Sequence, residues 1–271
     1  MDLSEKNALI LGASRGIGRA IADKLEAAGC RLVLPWFDWP DSCQEMLTRF
    51  AGHYMPQTDL RRPEEVNRLV SEITAQLGGL DILINNIERG GMPVVHGGYE
   101  RPVNQDQWQL EMATTLHAKH LVFNACLPLL KASGNGAVIT LSSIAGAIGR
   151  SGPASLLFND GYAAANRGIA ALTETWARIA APEVRVLELM LGLIDTRHGP
   201  GTRGWDLLTD QQRKALLDHT LLGRTGQPAE VAELVGILLE KGDFMTGTVI
   251  RMDGGYLLGG EQVQKMPEGV V

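Results

Sequence analysis

Ala8-Leu9-Ile10-Leu11 runs directly into Gly12-Ala13-Ser14-Arg15-Gly16-Ile17-Gly18, after which Ala20, Ile21 and Leu25 continue a spacing begun at Ile17. A short apolar run closed by glycine reads as a buried strand. The spacing of Ile17, Ala20, Ile21 and Leu25 puts them on one face of a helix. Between the two lies a turn rich in glycine. Such a turn lets the backbone bend sharply and come close to a pyrophosphate, and the helix that follows offers amide donors and a partial positive charge. The competing reading is a tight turn that holds nothing.

Outward from this unit the pattern repeats. Leu32-Val33-Leu34 is the next strand, followed by a segment around Met46–Phe50 and a short strand at His53–Met55. Pro63 opens a helix through Val66, Leu69, Val70, Ile73 and Leu77, and Gly78-Gly79 stops it. Leu80–Ile84, Ala137–Leu141, Val184–Leu189 and Val249–Met252 read as further strands. Helices are predicted over about Gln105–Lys131, Gly161–Ala180 and Pro228–Leu239. Unbroken apolar strands are buried on both faces, which implies a parallel sheet covered by helices. The expected fold is therefore a doubly wound, mostly parallel α/β sheet of the Rossmann type, three layers thick. One domain is expected over 1–258, with a polar tail at 259–271.

Composition narrows the function. Glycine makes up 32 of 271 residues, above the usual ~7%. Only seven of the 25 basic residues are lysine. A net charge of −6 argues against nucleic acid or an anionic membrane as partner. Three cysteines without close spacing fit a reducing compartment and not a disulfide framework or thiolate metal cage. No apolar run approaches the ~20 residues of a membrane span, and Met-Asp-Leu-Ser-Glu-Lys has no basic leader region, so a cytoplasmic protein is expected.

The spacing G-x-x-x-G-x-G resembles that of the short-chain dehydrogenase/reductase family, and the resemblance spans nearly the whole chain. Asp59-Leu60 resembles the family's adenine-contacting pair, and Asp81–Asn86 its fourth strand with the Asn-Asn motif. Ser142–Gly146 is similar to the catalytic-serine strand end, and Tyr162-Ala163-Ala164-Ala165 to the start of the Tyr-x-x-x-Lys helix. Gly192–Thr196 resembles the stretch that holds the nicotinamide carboxamide, and Gly223–Ala232 and Thr246–Gly255 resemble C-terminal signatures. The resemblance implies a nicotinamide dinucleotide held by Gly12, Ser14, Arg15, Gly16, Ile17, Gly18, Asp59, Leu60, Asn86, Tyr162, Asn166, Ile194 and Thr196. Where an NAD-preferring member has an acidic residue after the second strand, this chain reads Pro35-Trp36-Phe37. Arg15 in the glycine turn suits a 2′-phosphate, because a guanidinium pairs bidentately with phosphate. NADP(H) is thus expected over NAD(H). Asp38 is the counter-argument, since a one-residue change of register restores an acidic ribose partner. Trp36, Phe37 and Trp39 either flank the adenine or pack as ordinary surface and core.

The family's proton relay uses Asn, Ser, Tyr and Lys, and here it is altered. Ser143 and Tyr162 are present, the lysine position is Asn166, and the asparagine position, aligned from Trp108, is Thr115. The glycine expected after the Asn-Asn motif is Glu88. Arg150–Asp160 holds extra residues beside the expected cleft. A lysine four residues after the tyrosine shares its helix face, bonds the nicotinamide ribose and lowers the tyrosine pKa from about 10. Asparagine does the first and not the second. A neutral tyrosine already suits carbonyl reduction, so the expected activity is reduction of a carbonyl or related group on a small organic substrate. Tyr162 would be the acid, Ser143 would orient the carbonyl, Asn166 would hold the ribose and Thr115 a relay water. The alternative is a degenerate dinucleotide-binding structural or sensor protein.

Other candidates carry less. Arg89, Arg150, Arg167 and Arg197 are possible substitute cations or acid-substrate contacts, against a reading as solvated charges. His117 and His120 have metal-ligand spacing but no visible third or fourth ligand, so no metal is expected. Asp195, His198 and Ser143 lack the sequence context of a hydrolase elbow. Residues 197–220 resemble a substrate lid, with Trp205, Leu208 and Leu217 as apolar walls; a fixed surface helix is the competing reading. The resemblance also implies a homotetramer or homodimer.

Overall fold

The structure, a computed structural model, describes residues 1–88, 105–196, 203–206, 208–261 and 263–269. Six parallel strands form one sheet in the order β2-β1-β3-β4-β5-β6. They are β1 (Asn7–Ile10), β2 (Arg31–Val33), β3 (Ile82–Asn85), β4 (Gly136–Ser143), β5 (Val184–Leu191) and β6 (Thr248–Met252). The main helices are α1 (Gly16–Ala27), α2 (Pro40–Arg49), α3 (Pro63–Leu77), α4 (Gln105–Glu111), α5 (Ala118–Ala132), α6 (Asp160–Ala180), α7 (Asp210–His219) and α8 (Pro228–Lys241).

The sheet is buried on both faces, as its apolar runs require. On one face Ile21 and Leu25 of α1 pack with Val231, Val235 and Leu239 of α8 and Met46 of α2. On the other, Leu69 and Ile73 of α3 join Val122, Phe123 and Cys126 of α5 and Trp176 of α6. This is the expected three-layer, doubly wound arrangement. The chain reverses its winding between β1 and β3, and ligands of such sheets bind at that crevice, outside the carboxyl ends of the strands.

Two elements differ from the sequence reading. His53–Met55 does not form a ladder with β2; only the isolated pairs Val33↔Tyr54 and Trp36↔Gln57 form. Two residues interrupt it: Nδ1 of His53 accepts the Leu32 amide at 3.1 Å, where a sheet would offer a carbonyl, and Pro56, which has no amide to give, separates the two pairs although they share one register. The predicted Gln105–Lys131 helix is broken by a π-helical turn at Met112–His117, which separates α4 from α5. Such turns occur frequently at functional sites, and this one carries the buried Thr115.

Candidate active site

The glycine turn after β1 is built by exclusion. Gly12 has φ +70, and a Cβ there would lie 2.8 Å from the carbonyl oxygen of Asn86. A Cβ on Gly18 would fall on the carbonyl oxygen of Gly12. Asn86 donates from Nδ2 to the carbonyls of Leu11 and Gly12 at 3.4 and 3.5 Å, clamping the turn against the end of β3. No side chain caps the N-terminus of α1, whose amides therefore remain for a ligand. A cavity of about 300 Å³ opens over this terminus, lined by Ser14, Arg15, Gly16, Ile17, Asn86 and Thr196 among others. A second cavity of about 300 Å³ adjoins it, with Trp36, Asp38, Asp59, Leu60 and Arg61 in its wall. The two cavities, with the glycine cradle between them, fit a dinucleotide.

At the outer end, charges of both signs meet. Arg15 stacks on Trp39, its guanidinium carbon 3.6 Å from the ring centroid. Asp38 lines both cavities. Asp59 faces the outer cavity, but its carboxylate takes both nitrogens of an Arg61 fork at 2.7 Å. That hydrogen-bonded guanidinium holds the Asp59 carboxyl below the usual carboxylate value. Trp36 donates its indole N–H to Met55 at 3.1 Å and serves partly as core.

At the inner end, Ser143 and Tyr162 line one cavity with Ile17, Asn86, Glu88, Ile194 and Thr196. Ser143 arrives at the end of β4, where its hydroxyl oxygen accepts the Ala145 amide at 3.1 Å. Tyr162 sits in the first turn of α6, whose N-cap Asn159 accepts the Tyr162 amide at 2.6 Å. The Tyr162 hydroxyl donates to Oε2 of Glu88 at 2.8 Å. The loop with Ile194 and Thr196 is tied to the start of α8, because the Asp195 amide donates to the Gly226 carbonyl at 2.7 Å.

The chain matches known proteins over more than nine-tenths of its length. A family model described as enoyl-(acyl carrier protein) reductase matches residues 12–257. The chain belongs to the short-chain dehydrogenase/reductase family. A 3-oxoacyl-[acyl-carrier-protein] reductase FabG of Vibrio cholerae is 29% identical over 95% of this chain and 100% of its own. The FabG of Staphylococcus aureus is 27% identical over 93% of this chain and 98% of its own. Among solved structures, ligand-free aldohexose dehydrogenase of Thermoplasma acidophilum superposes with a TM-score of 0.76 at 23% identity, over 98% of this chain and 99% of its own. A Brucella melitensis protein described as ribose-5-phosphate isomerase superposes with a TM-score of 0.80 at 27% identity, over 94% of this chain and 93% of its own. One fold thus carries differently named reactions, and the reaction must be argued from the site.

Against the family's relay, the altered positions take new partners. Asn166 is 2% exposed. Its Nδ2 donates back to the Tyr162 carbonyl at 3.0 Å, and its Oδ1 has no partner among the described residues. Thr115, fully buried, donates to Oε2 of Glu111 at 3.0 Å; Asn159 reaches the other oxygen of Glu111 at 3.4 Å. The π-turn thereby supports the cap of the tyrosine helix. Arg150 spans its own loop, to the Ser155 carbonyl at 3.3 Å and Asp160 at 3.6 Å. Arg167 is exposed on α6. His120 pairs with Asn124 at 3.0 Å and stacks on Trp176, while His117 is exposed. Arg89, Arg197 and His198 lie outside the described residues, as do 199–202 and 207 of the expected lid.

The extra residues at 150–160 form a wall. Ala154, Leu157 and Phe158 pack with Trp205, Leu208 and Leu216, and Leu217 borders the cluster. Phe158 stacks on Tyr162 with ring centroids 5.8 Å apart. Tyr256 anchors this wall by accepting the Ala154 amide at 2.7 Å.

Sequence reasoning missed a buried ionic group behind the serine. Glu188 on β5 is fully buried and accepts the hydroxyls of Ser142 and Thr173; burial raises its pKa. Lys119 on α5 is 1% exposed and donates to the Leu141 carbonyl at 2.6 Å. Burial pushes its pKa down to about 8, with the charges of Glu88 and Glu188 acting against the fall. The signal was available: one acid inside Val-Arg-Val-Leu-Glu-Leu-Met-Leu, and one lysine on the helix face shared by Val122, Phe123 and Cys126.

Proposed function

We propose that this protein reduces a carbonyl group of a small organic molecule using NADPH. The observation that carries the reading is that Tyr162 and Ser143 share one cavity with Ile17, Asn86 and Thr196, residues that also line the cavity over the glycine cradle. The residues lining the two cavities would hold a nicotinamide, whose chemistry when bound would be hydride supply to the substrate carbon. Ile194 and Thr196 stand ready for its carboxamide. Ser143 donates to the substrate oxygen and fixes its place. Tyr162 gives that oxygen its proton as negative charge develops on it, a transfer typically worth ~10²–10⁴-fold. A carboxylate beside a phenol penalises the phenolate, so the Glu88 contact favours the neutral, donating form of Tyr162 and hence reduction over alcohol oxidation. Arg15 supports a 2′-phosphate and Asp38 a free 2′-hydroxyl; Arg15, spread over Trp39 at the cavity mouth, favours NADP(H).

The decisive experiment is NADPH oxidation against a panel of ketones, aldehydes and 3-oxoacyl thioesters, with Tyr162→Phe as control. Turnover that depends on Tyr162 is the expected result. Dinucleotide binding with no Tyr162-dependent turnover supports the second reading, a degenerate NADP(H)-binding structural or sensor protein. That reading is favoured by one observation: the lysine position holds Asn166, whose amide nitrogen bonds the helix backbone. Assembly as a homodimer or homotetramer is part of the proposal. It is supported by exposed Ile237, Phe244 and Val249 on and beside α8 and β6, and light scattering in solution tests it.

A further inference from the structure

Lys119 has no task in the reading above. A buried ammonium is costly unless compensated, and an aliphatic residue would fill the same slot between α5 and β4. The ammonium instead binds the Leu141 carbonyl, and Leu141 and Ser142 face the same cavity as Ser143 and Tyr162. The charges of two carboxylates bear on it. Glu88 accepts the Tyr162 hydroxyl, and Glu188 accepts that of Ser142. Asn85, Thr140 and Glu188 stand side by side in register across β3, β4 and β5, and Oδ1 of Asn85 and Oγ1 of Thr140 are buried without partners. This layer is polar within a mostly apolar sheet.

We propose that Lys119 supplies, from α5, the positive charge that Asn166 cannot supply from α6, and that it acts on Tyr162 through Glu88. The proposal rests on the reductase reading. As Tyr162 gives up its proton, negative charge appears next to the Glu88 carboxylate; a compensating ammonium makes the pair tolerable. Lys119 is thus a positioning residue. Among the described residues the charges acting on it are those of Glu88 after β3 and Glu188 on β5, while His117 and His120 beside it in sequence are exposed. Those two charges favour its protonated form, against the burial that brings its pKa down to about 8.

Two measurements test this. The first needs no turnover. Because folding lowers the Lys119 pKa from 10.5 to about 8, the unfolded chain holds a proton across that window that the folded chain has lost. The stability of wild type relative to Lys119→Met therefore rises with pH across it. In a Glu88→Gln background the lower edge of the window should move down by about one pH unit; an unmoved edge overturns the proposal. The second uses the substrate panel. Lys119→Met should keep NADPH affinity and KM, lower kcat by ~10–100-fold and remove the alkaline fall near pH 8 expected of wild type. The double variant with Glu88→Gln should fall no further than the worse single one. Equal loss at every pH, or additive losses, makes Lys119 a packing residue and overturns the proposal. Should Lys119→Met fail to fold, Glu88→Gln alone must shift the wild-type alkaline limb to lower pH. If wild type reduces no carbonyl at all, the reductase reading fails by itself, and the stability edge still decides the role of Lys119.

Discussion

The two ends of the cleft are made of different materials. The nucleotide end is shaped by backbone: Gly12, Gly16 and Gly18 leave space, Asn86 clamps the turn, and the start of α1 presents amides. The reaction end is shaped by side-chain charge and hydrogen bonding, through Glu88, Glu111, Lys119, Asn166 and Glu188. Backbone geometry depends on a few glycines and survives sequence drift elsewhere. A proton relay depends on the mutual charge of several side chains, so one replacement alters the demand on all the others.

The comparison can be broken most severely at the nucleotide end. Gly18→Val should cost at least ~100-fold in NADPH affinity by fluorescence titration, because even a Cβ collides with the Gly12 carbonyl and moves the cradle. Retained affinity would show that the cradle is softer than its geometry. At the reaction end, Tyr162→Phe should lower kcat by ~10²–10⁴-fold and leave NADPH affinity unchanged, which separates the two ends in one variant. Arg15→Ala should cut the preference for NADPH over NADH by ~10-fold, the worth of one charge-assisted phosphate contact, whereas Asp38→Ala should raise it; the reverse result assigns the cavity to NAD(H). Asn166→Lys should raise alcohol oxidation by a few-fold and reduction less, since each pKa unit on the tyrosine is worth about 1.4 kcal/mol; an equal change in both directions removes the directional argument. The smallest effect belongs to the Asp59–Arg61 pair. Its folded carboxyl is held below 3.8, so it contributes stability above that pH and loses it as pH falls through the lower folded value. Arg61→Ala should therefore cost at most ~1 kcal/mol at neutral pH, and that deficit should vanish in acid unfolding curves.

Most of the nucleotide end was legible in the sequence, because a glycine turn between an apolar run and a helical stripe has few other physical meanings. The parallel sheet and the helix layers followed from apolar runs and their spacing. His53 and Pro56 cut the strand predicted at His53–Met55 down to isolated pairs, and a ring nitrogen that competes for the Leu32 amide leaves no trace in hydrophobic periodicity. The π-turn was equally silent, because Met112–His117 has ordinary helix-forming residues. Ser143 and Tyr162 were found by their spacing to recognisable neighbours and do share a cavity. Lys119 and Glu188 were passed over because each sits inside an otherwise apolar pattern, where a single charge reads as an interruption. Their pairing with the site is a matter of three elements meeting, and no local window contains it.

The π-turn has a consequence for how this chain tolerates insertion and deletion. Each residue in an α-helix turns the chain by about 100°, and a π-turn accommodates one residue more than regular winding allows. Glu111 before it and Lys119 after it are eight residues apart, a spacing that regular winding would set about 80° apart; the π-turn takes up the extra residue, so both are buried. Removing one residue between Met112 and His117 would leave them seven apart on a regular helix, still within about 20° of one another, and would erase the turn that holds Thr115. A deletion here would therefore spare both buried charges, whereas a further insertion would turn one of them out of the core.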